Sequence, residues 1–189
     1  EYNKDSLAIE DKWILNKLDK LVFEVTTNIE NYDLGIALDK IYNFIWNEFC
    51  DWYIEMVKPR IYSDNYEIKT NVCYILNYVF GTALKLLHPF MPFVTTKIYS
   101  ELVSYDNKDL MISNWPEVKK NFSFENEEKL VEQLKETIVE IRNVRANMNI
   151  HPSKKSELIF VSKSNKKELE QAKEFILKLG FGNELKIQE

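Results

Sequence analysis

Apolar residues recur at three- and four-residue steps through the first three quarters of the chain, and that spacing predicts long amphipathic helices. Ile14, Leu18, Leu21, Val25 and Ile29 share one face of a first helix expected over residues 9–29. Asp33 is placed to cap a second helix over residues 34–57, because a side-chain carboxylate accepts the free N–H groups of a first turn. That helix carries two adjacent apolar stripes: Leu34, Leu38, Ile41, Ile45, Phe49, Trp52 and Met56 form one, and Tyr42, Trp46, Cys50, Tyr53 and Val57 the other. Lys40, Asn43, Asn47, Asp51, Glu55 and Lys58 fill the narrow polar remainder, so the helix is expected to be surrounded by others. Pro59 is expected to end it.

A third helix is expected over residues 66–87, with Ile68, Val72, Ile75, Val79, Ala83 and Leu86 inward and Gly81 permitting close contact with a neighbour. "LLHPFMPF" then reads as a rigid corner: Pro89 disfavours helical geometry at His88, and Pro92 can open a fourth helix over residues 92–103. "DLMISNWPE" reads as an extended cover strip, and a last long helix over residues 125–147 turns Leu130, Leu134, Ile138, Ile141 and Met148 inward. The pattern then changes. Residues 156–162 alternate like a strand, residues 166–179 form an amphipathic helix closed by Gly180, and residues 184–188 alternate again. The expected fold class is mainly α, an antiparallel helix bundle over residues 1–150 followed by a small α+β strand-helix-strand unit over residues 151–189.

Composition agrees with that picture, since 4 glycines and 5 prolines in 189 residues favour long helices over many short strands. No apolar run approaches the roughly 18 residues of a membrane span, and no leader-like segment opens the chain, so a cytoplasmic protein is expected. Cys50 and Cys73 stand alone inside helical patterns and read as buried thiols in a reducing compartment. The chain opens at Glu1 and closes on "ELKIQE", a strand without a following turn, so it reads as an excerpt of a longer protein.

Chemistry narrows by exclusion. No Glu stands three residues before His88 or His151, so the carboxylate–histidine pattern of a di-iron bundle is absent. Gly-x-Gly-x-x-Gly, P-loop and Gly-x-Ser-x-Gly motifs are absent too. His88 reads as a structural corner residue. The segment "NEFCDWYIEMVKPR" gathers acids and a thiol, but its aromatics read as bundle core with Asp51 and Glu55 on the polar stripe. No catalytic site, cofactor or metal is expected within this chain.

A net charge of −5 argues against general nucleic-acid binding, yet between Arg145 and Lys167 six basic residues, Arg145, Lys154, Lys155, Lys163, Lys166 and Lys167, face Glu157 alone. That run either faces a polyanion or is a solvated lysine-rich loop. The strongest constellation is "EIRNVRANMNIHPSKK": Arg142 and Arg145, three residues apart, can clamp phosphates together, with Asn149 one turn on and Lys154 and Lys155 adding point charge. Alternatively the two arginines pair with bundle acids such as Asp51 or Glu55 and lock helices together.

Taken together, "FIWNEFCDWYIEMVKPR", "LKLLHPFMPFVTTKIYSEL", "MISNWPE" and "IRNVRANMNIHPSKK" resemble the anticodon-binding region of class I aminoacyl-tRNA synthetases, in order and spacing across most of the chain. "EFCDWYIE" with "NVRANMNIHPSKK" is similar to the valyl branch in particular; the proline corner also suits isoleucyl and leucyl relatives. Relatives usually carry Thr-Glu-Glu-x-Trp after the corner, where Thr95, Thr96, Lys97 and Tyr99 stand here. The resemblance implies a parent enzyme that joins valine to tRNA(Val) using ATP and Mg in a preceding catalytic domain, with an editing domain, a first bundle helix and a C-terminal coiled coil also outside this chain. Within it, the resemblance implies support of the anticodon stem and loop, with Arg142, Arg145, Asn149, Lys154 and Lys155 as candidates for backbone contact. The competing expectation is a structural spacer that positions neighbouring tRNA-contacting elements.

Overall fold

The computed structural model describes residues 6–102, 109–119, 123–162 and 165–188. Helix α1 (Ile9–Glu30) occurs where its period places it, and Trp13 and Leu15 are enclosed in addition to Ile14, Leu18, Leu21 and Val25. It closes with Tyr32 in the left-handed region at φ 63°, where the Asp33 N–H reaches back to the Asn28 carbonyl at 2.8 Å. Asp33 stands at the next N-cap position, but its carboxylate accepts no capping hydrogen bond.

Three segments then run end to end as one rod: α2 (Leu34–Asn43), a π-helical stretch (Phe44–Tyr53) and α3 (Ile54–Ile61). Neither sequence stripe is buried as a whole. The buried line passes through Ala37, Ile41, Phe44, Phe49, Tyr53, Met56 and Val57, crossing from one stripe to the other. The five-residue step from Phe44 to Phe49 is the wide π turn, and it rotates the downstream residues relative to an α-helical register. Leu34, Leu38, Tyr42 and Trp46 are left 51%, 38%, 57% and 53% exposed, so the rod is open on one flank rather than surrounded.

Pro59 does not end the rod, which continues to Ile61. Proline has no N–H to give the carbonyl four residues earlier. That carbonyl, Glu55 O, takes Lys178 Nζ at 3.3 Å instead.

Helix α4 (Tyr66–Leu87) is capped by Asn65, whose side-chain oxygen accepts from the N–H groups of Glu67 and Ile68. Val72, Ile75, Val79, Ala83 and Leu86 are buried, while Ile68 is 40% exposed. At the corner, His88 Nδ1 and Thr95 Oγ1 pair at 2.8 Å, and Thr95 Oγ1 donates to the Met91 carbonyl at 2.8 Å. Helix α5 (Pro92–Glu101) begins on Pro92 and stops at Glu101; residue 103, the end that the sequence pattern sets for it, lies outside the described residues.

The cover strip opens with a single 3₁₀ turn (Leu110–Ile112) and crosses α1, where Trp115 Nε1 donates to Thr26 Oγ1 at 2.9 Å. Helix α6 (Glu125–Asn147) buries Val131, Leu134 and Ile138; Met148, expected inward, is its C-cap and 66% exposed. Charges line the seam of α1 and α6: Lys12 meets Glu127 at 3.1 Å, Lys17 meets Glu132 at 2.8 Å and Lys20 meets Glu128 at 2.7 Å.

The last unit runs β1 (Ser156–Val161), α7 (Lys166–Gln171), α8 (Lys173–Leu179) and β2 (Gly182–Gln188). The expected single helix is two short ones meeting at Ala172. The strands pair in parallel, with Leu158 opposite Leu185 and Phe160 opposite Ile187. A Cβ on Gly182 would lie 2.8 Å from Leu158 Cδ1 and from Leu177 Cδ2, so a side chain there requires those two leucine side chains, one on β1 and one on α8, to shift. Leu158, Leu169, Phe175, Ile176, Leu179 and Leu185 are buried in continuity with the bundle core, and α8 packs on α3 and α6. Cys50 and Cys73, expected as buried thiols, are free and only half-buried; burial and the neighbouring Asp51 raise the Cys50 thiol pKa.

Candidate nucleic-acid interface

The basic constellation sits where α6 hands over to β1. Asn149 adopts φ 54°, and the Ile150 N–H returns to the Arg145 carbonyl at 2.9 Å, so Asn149 supplies the left-handed turn that closes the helix. A tight turn comes immediately after, with Pro152 as its second residue and the Lys154 N–H bonded to the His151 carbonyl at 3.0 Å. His151 Nδ1 accepts the Ser153 N–H at 3.2 Å and pairs with Ser153 Oγ at 2.8 Å. Asn149, Lys154 and Lys155 are all exposed on this folded turn.

Arg142 and Arg145 lie behind it. Arg145 is 7% exposed, and its guanidinium donates to Ser156 Oγ at 3.1 Å, to the His151 carbonyl at 3.3 Å and to the Lys154 carbonyl. Arg142 Nε donates to the Leu179 carbonyl at 2.9 Å, and its guanidinium lies over the Trp52 ring at 5.8 Å and over the Phe181 ring at 5.7 Å. Phe181 also faces Arg145 at 5.5 Å and holds a left-handed φ of 56°. Among the described residues neither arginine forms an ion pair, and Glu55 binds Lys58 and Lys178 instead. The two arginines do lock pieces together, but through backbone carbonyls and ring faces rather than through Asp51 or Glu55.

The basic run is also divided. Lys154 and Lys155 precede β1, whereas Lys166 and Lys167 come after it. The six residues of β1, at about 3.3 Å each, stand between the two pairs along the chain. Lys163 lies outside the described residues.

Two charged centres escape a reading of period and spacing. In the first, Arg60 donates to Asp11 Oδ1 at 2.9 Å, to Asp11 Oδ2 at 2.7 Å and to Glu10 Oε1 at 2.8 Å, while fully buried Tyr53 donates to Asp11 Oδ1 at 2.8 Å. Burial, and then the adjacent Asp11, push the Glu10 carboxyl up to about 7. In the second, Lys135 meets Glu48 at 2.6 Å and Glu132 at 3.0 Å, above the rings of Trp13 at 4.8 Å and Trp52 at 5.5 Å. These two centres absorb the chemistry of the Asn47–Arg60 stretch into helix fastening, with Glu48, Tyr53 and Arg60 as its members. The only signal of them in the sequence is a polar residue standing where the helical period calls for an apolar one. Among the described residues no group of three or more His, Cys, Asp or Glu is placed to hold a metal ion.

Residues 11–160 match the family described as the anticodon-binding domain of tRNA ligase, a match that begins inside α1 and ends within β1. The valine–tRNA ligase of Clostridium acetobutylicum is 42% identical over 180 residues, 95% of this chain and 20% of that protein. That of Clostridium perfringens is 42% identical over 161 residues (85% of this chain, 18% of that protein), and that of Thermotoga maritima 42% over 151 residues (80% and 17%). The chain therefore spans about a fifth of the length of these relatives. With a helix bundle in place and the match running through most of it, the chain belongs to the anticodon-binding domain family of tRNA ligases.

Proposed function

We propose that this chain is the anticodon-arm-binding segment of a valine–tRNA ligase, whose whole protein joins valine to tRNA(Val) in the cytoplasm. The observation that carries the reading is the 42% identity to the Clostridium acetobutylicum valine–tRNA ligase across 95% of the chain. ATP and Mg serve the ligation in the parent's catalytic part, outside this segment. Here the task is recognition. Lys154 and Lys155, exposed on a turn closed by Pro152, supply point charge to phosphates, and Asn149 beside them supplies an amide. Arg145 belongs to the same site from behind, since its donors are directed at the backbone that carries the turn, and Arg142 stands beside it with its donor on the Leu179 carbonyl at the end of α8.

The test is a titration of the folded chain with tRNA(Val) and a non-cognate tRNA at two salt concentrations. Weak, poorly selective binding that fades at higher salt is expected, because phosphate contacts release counterions and carry little sequence information. Lys154→Glu with Lys155→Glu is expected to abolish it. Binding that ignores both lysines would overturn the assignment of this turn. The inward engagement of both arginines favours a second reading, a spacer that positions other tRNA-contacting elements. It predicts no binding at either salt.

A further inference from the structure

We infer that Arg145 is a positioning residue for RNA contact: its buried guanidinium holds the turn after α6 in the shape that presents Lys154 and Lys155. The inference rests on the tRNA-binding reading above and assigns within it a role that Arg145 performs without touching RNA.

The geometry is specific to an arginine. Its donors reach three acceptors on three different residues of one short loop: the His151 carbonyl, the Lys154 carbonyl and Ser156 Oγ. The first two are the two ends of the turn, because the His151 carbonyl also receives the Lys154 N–H. Ser156 is the first residue of β1, where the loop joins the sheet. The guanidinium therefore ties both ends of the turn and the start of the strand to the last turn of α6. Its own backbone carbonyl accepts the Ile150 N–H, so the same residue closes the helix and braces the loop. The Phe181 ring covers its face at 5.5 Å, and the side chain is 7% exposed. A lysine offers a single compact ammonium in place of this planar fork and cannot span all three acceptors at once.

The consequence is preorganisation. A loop that is already ordered loses less freedom when it binds, and that saving appears as affinity. A braced turn holds the backbone positions of the two lysines in a fixed mutual arrangement. A loose turn must be ordered by the RNA itself.

The test is a double-variant cycle on tRNA(Val) binding across a range of salt concentrations, using Arg145→Lys, the pair Lys154→Gln with Lys155→Gln, and their combination. The lysine pair is expected to weaken binding and to reduce the slope of log affinity against log salt by about 1.5. Arg145→Lys is expected to weaken binding about threefold to tenfold in the parent chain, and to have no further effect once both lysines are gone. An Arg145→Lys loss that persists without the lysines would overturn the inference, as would a variant with a lowered melting temperature and unchanged RNA affinity. A lysine pair that binds RNA like the parent would sink the underlying site as well. Should Arg145→Lys fail to fold, Pro152→Gly loosens the exposed turn from its other side. It is expected to reproduce the lysine-dependent loss, and its failure to do so would count against the inference.

Discussion

Two carboxylates share one guanidinium at the start of α1, and the sharing is unequal. Asp11 takes both terminal nitrogens of Arg60, the Tyr53 hydroxyl and the Ala8 N–H, whereas Glu10 takes one nitrogen through Oε1. Glu10 Oε2 is buried without a hydrogen-bond partner among the described residues. A surplus negative charge so placed is relieved by a proton, which is why burial lifts the Glu10 pKa from 4.5 to about 7. Between those two values the folded chain holds a proton that the unfolded chain has released. The stability contributed by this group is thus fully present below pH 4.5 and is lost as pH rises through about 7. Glu10→Gln keeps the oxygen that accepts from Arg60 and removes the charge. Urea unfolding at pH 8.5 is expected to find the variant more stable than the parent by on the order of 2–3 kcal/mol, with the two converging near pH 5. A variant less stable than the parent at pH 8.5 would mean that Arg60 holds Glu10 ionised. The same site explains the raised Tyr53 pKa, since burial and the Asp11 carboxylate both disfavour a phenolate.

Helix ends set by local chemistry differ in kind from helix interiors set by packing. Tyr32 closes α1 in the left-handed region while 88% exposed, so it bears backbone strain with little packing in return. Tyr32→Gly is expected to stabilise the chain by about 0.5–1 kcal/mol, the left-handed penalty less glycine's greater freedom when unfolded. Thermal unfolding checks it, and a lowered melting temperature would show that the ring contributes packing. Several element bounds are legible in the sequence: α4 spans the expected residues 66–87, α5 starts on Pro92, and α6 holds to residues 125–147 because its period is unbroken, whereas the Asn65 cap and the left-handed end at Tyr32 come from the structure. The rod from Leu34 to Ile61 is not legible in the same way. A π turn leaves no composition signature, so the five-residue step from Phe44 to Phe49 cannot be read from an α-helical wheel, which places Trp46 in a core it does not enter. Pro59 misleads for a related reason, since its breaking effect depends on whether the orphaned Glu55 carbonyl finds another donor, and Lys178 is distant in sequence. At the candidate site, sequence identifies the residue types and their order. It does not show that Arg145 turns inward while Lys154 and Lys155 stay out, because that depends on acceptors contributed by the folded loop.

At the scale of the whole molecule the question is what joins the α+β unit to the bundle. Apolar contact of α8 with α3 and α6 supplies area, and directional links among the described residues add to it: Lys178 on the Glu55 carbonyl, Arg145 on Ser156 at the start of β1, and Arg142 on the Leu179 carbonyl, near the rings of Trp52 and Phe181. Arg142 touches three separate parts of the fold at once. Trp52 belongs to the π stretch, Leu179 ends α8, and Phe181 stands just before β2. Arg142→Ala removes a cation in contact with two aromatic rings and takes the Arg142 donor from the Leu179 carbonyl, a loss on the order of 2 kcal/mol. That loss falls on the joint, because the groups Arg142 engages, Trp52, the Leu179 carbonyl and Phe181, lie where bundle and α+β unit meet along their one continuous core. Amide hydrogen exchange is therefore expected to lose protection in β1, α8 and β2 while α1 and α4 retain theirs. Equal loss everywhere would mean that bundle and α+β unit open only together, with Arg142 stabilising the whole rather than the joint. If the local pattern is found, RNA affinity should fall in the same variant, since β1 anchors the far end of the lysine turn through Ser156.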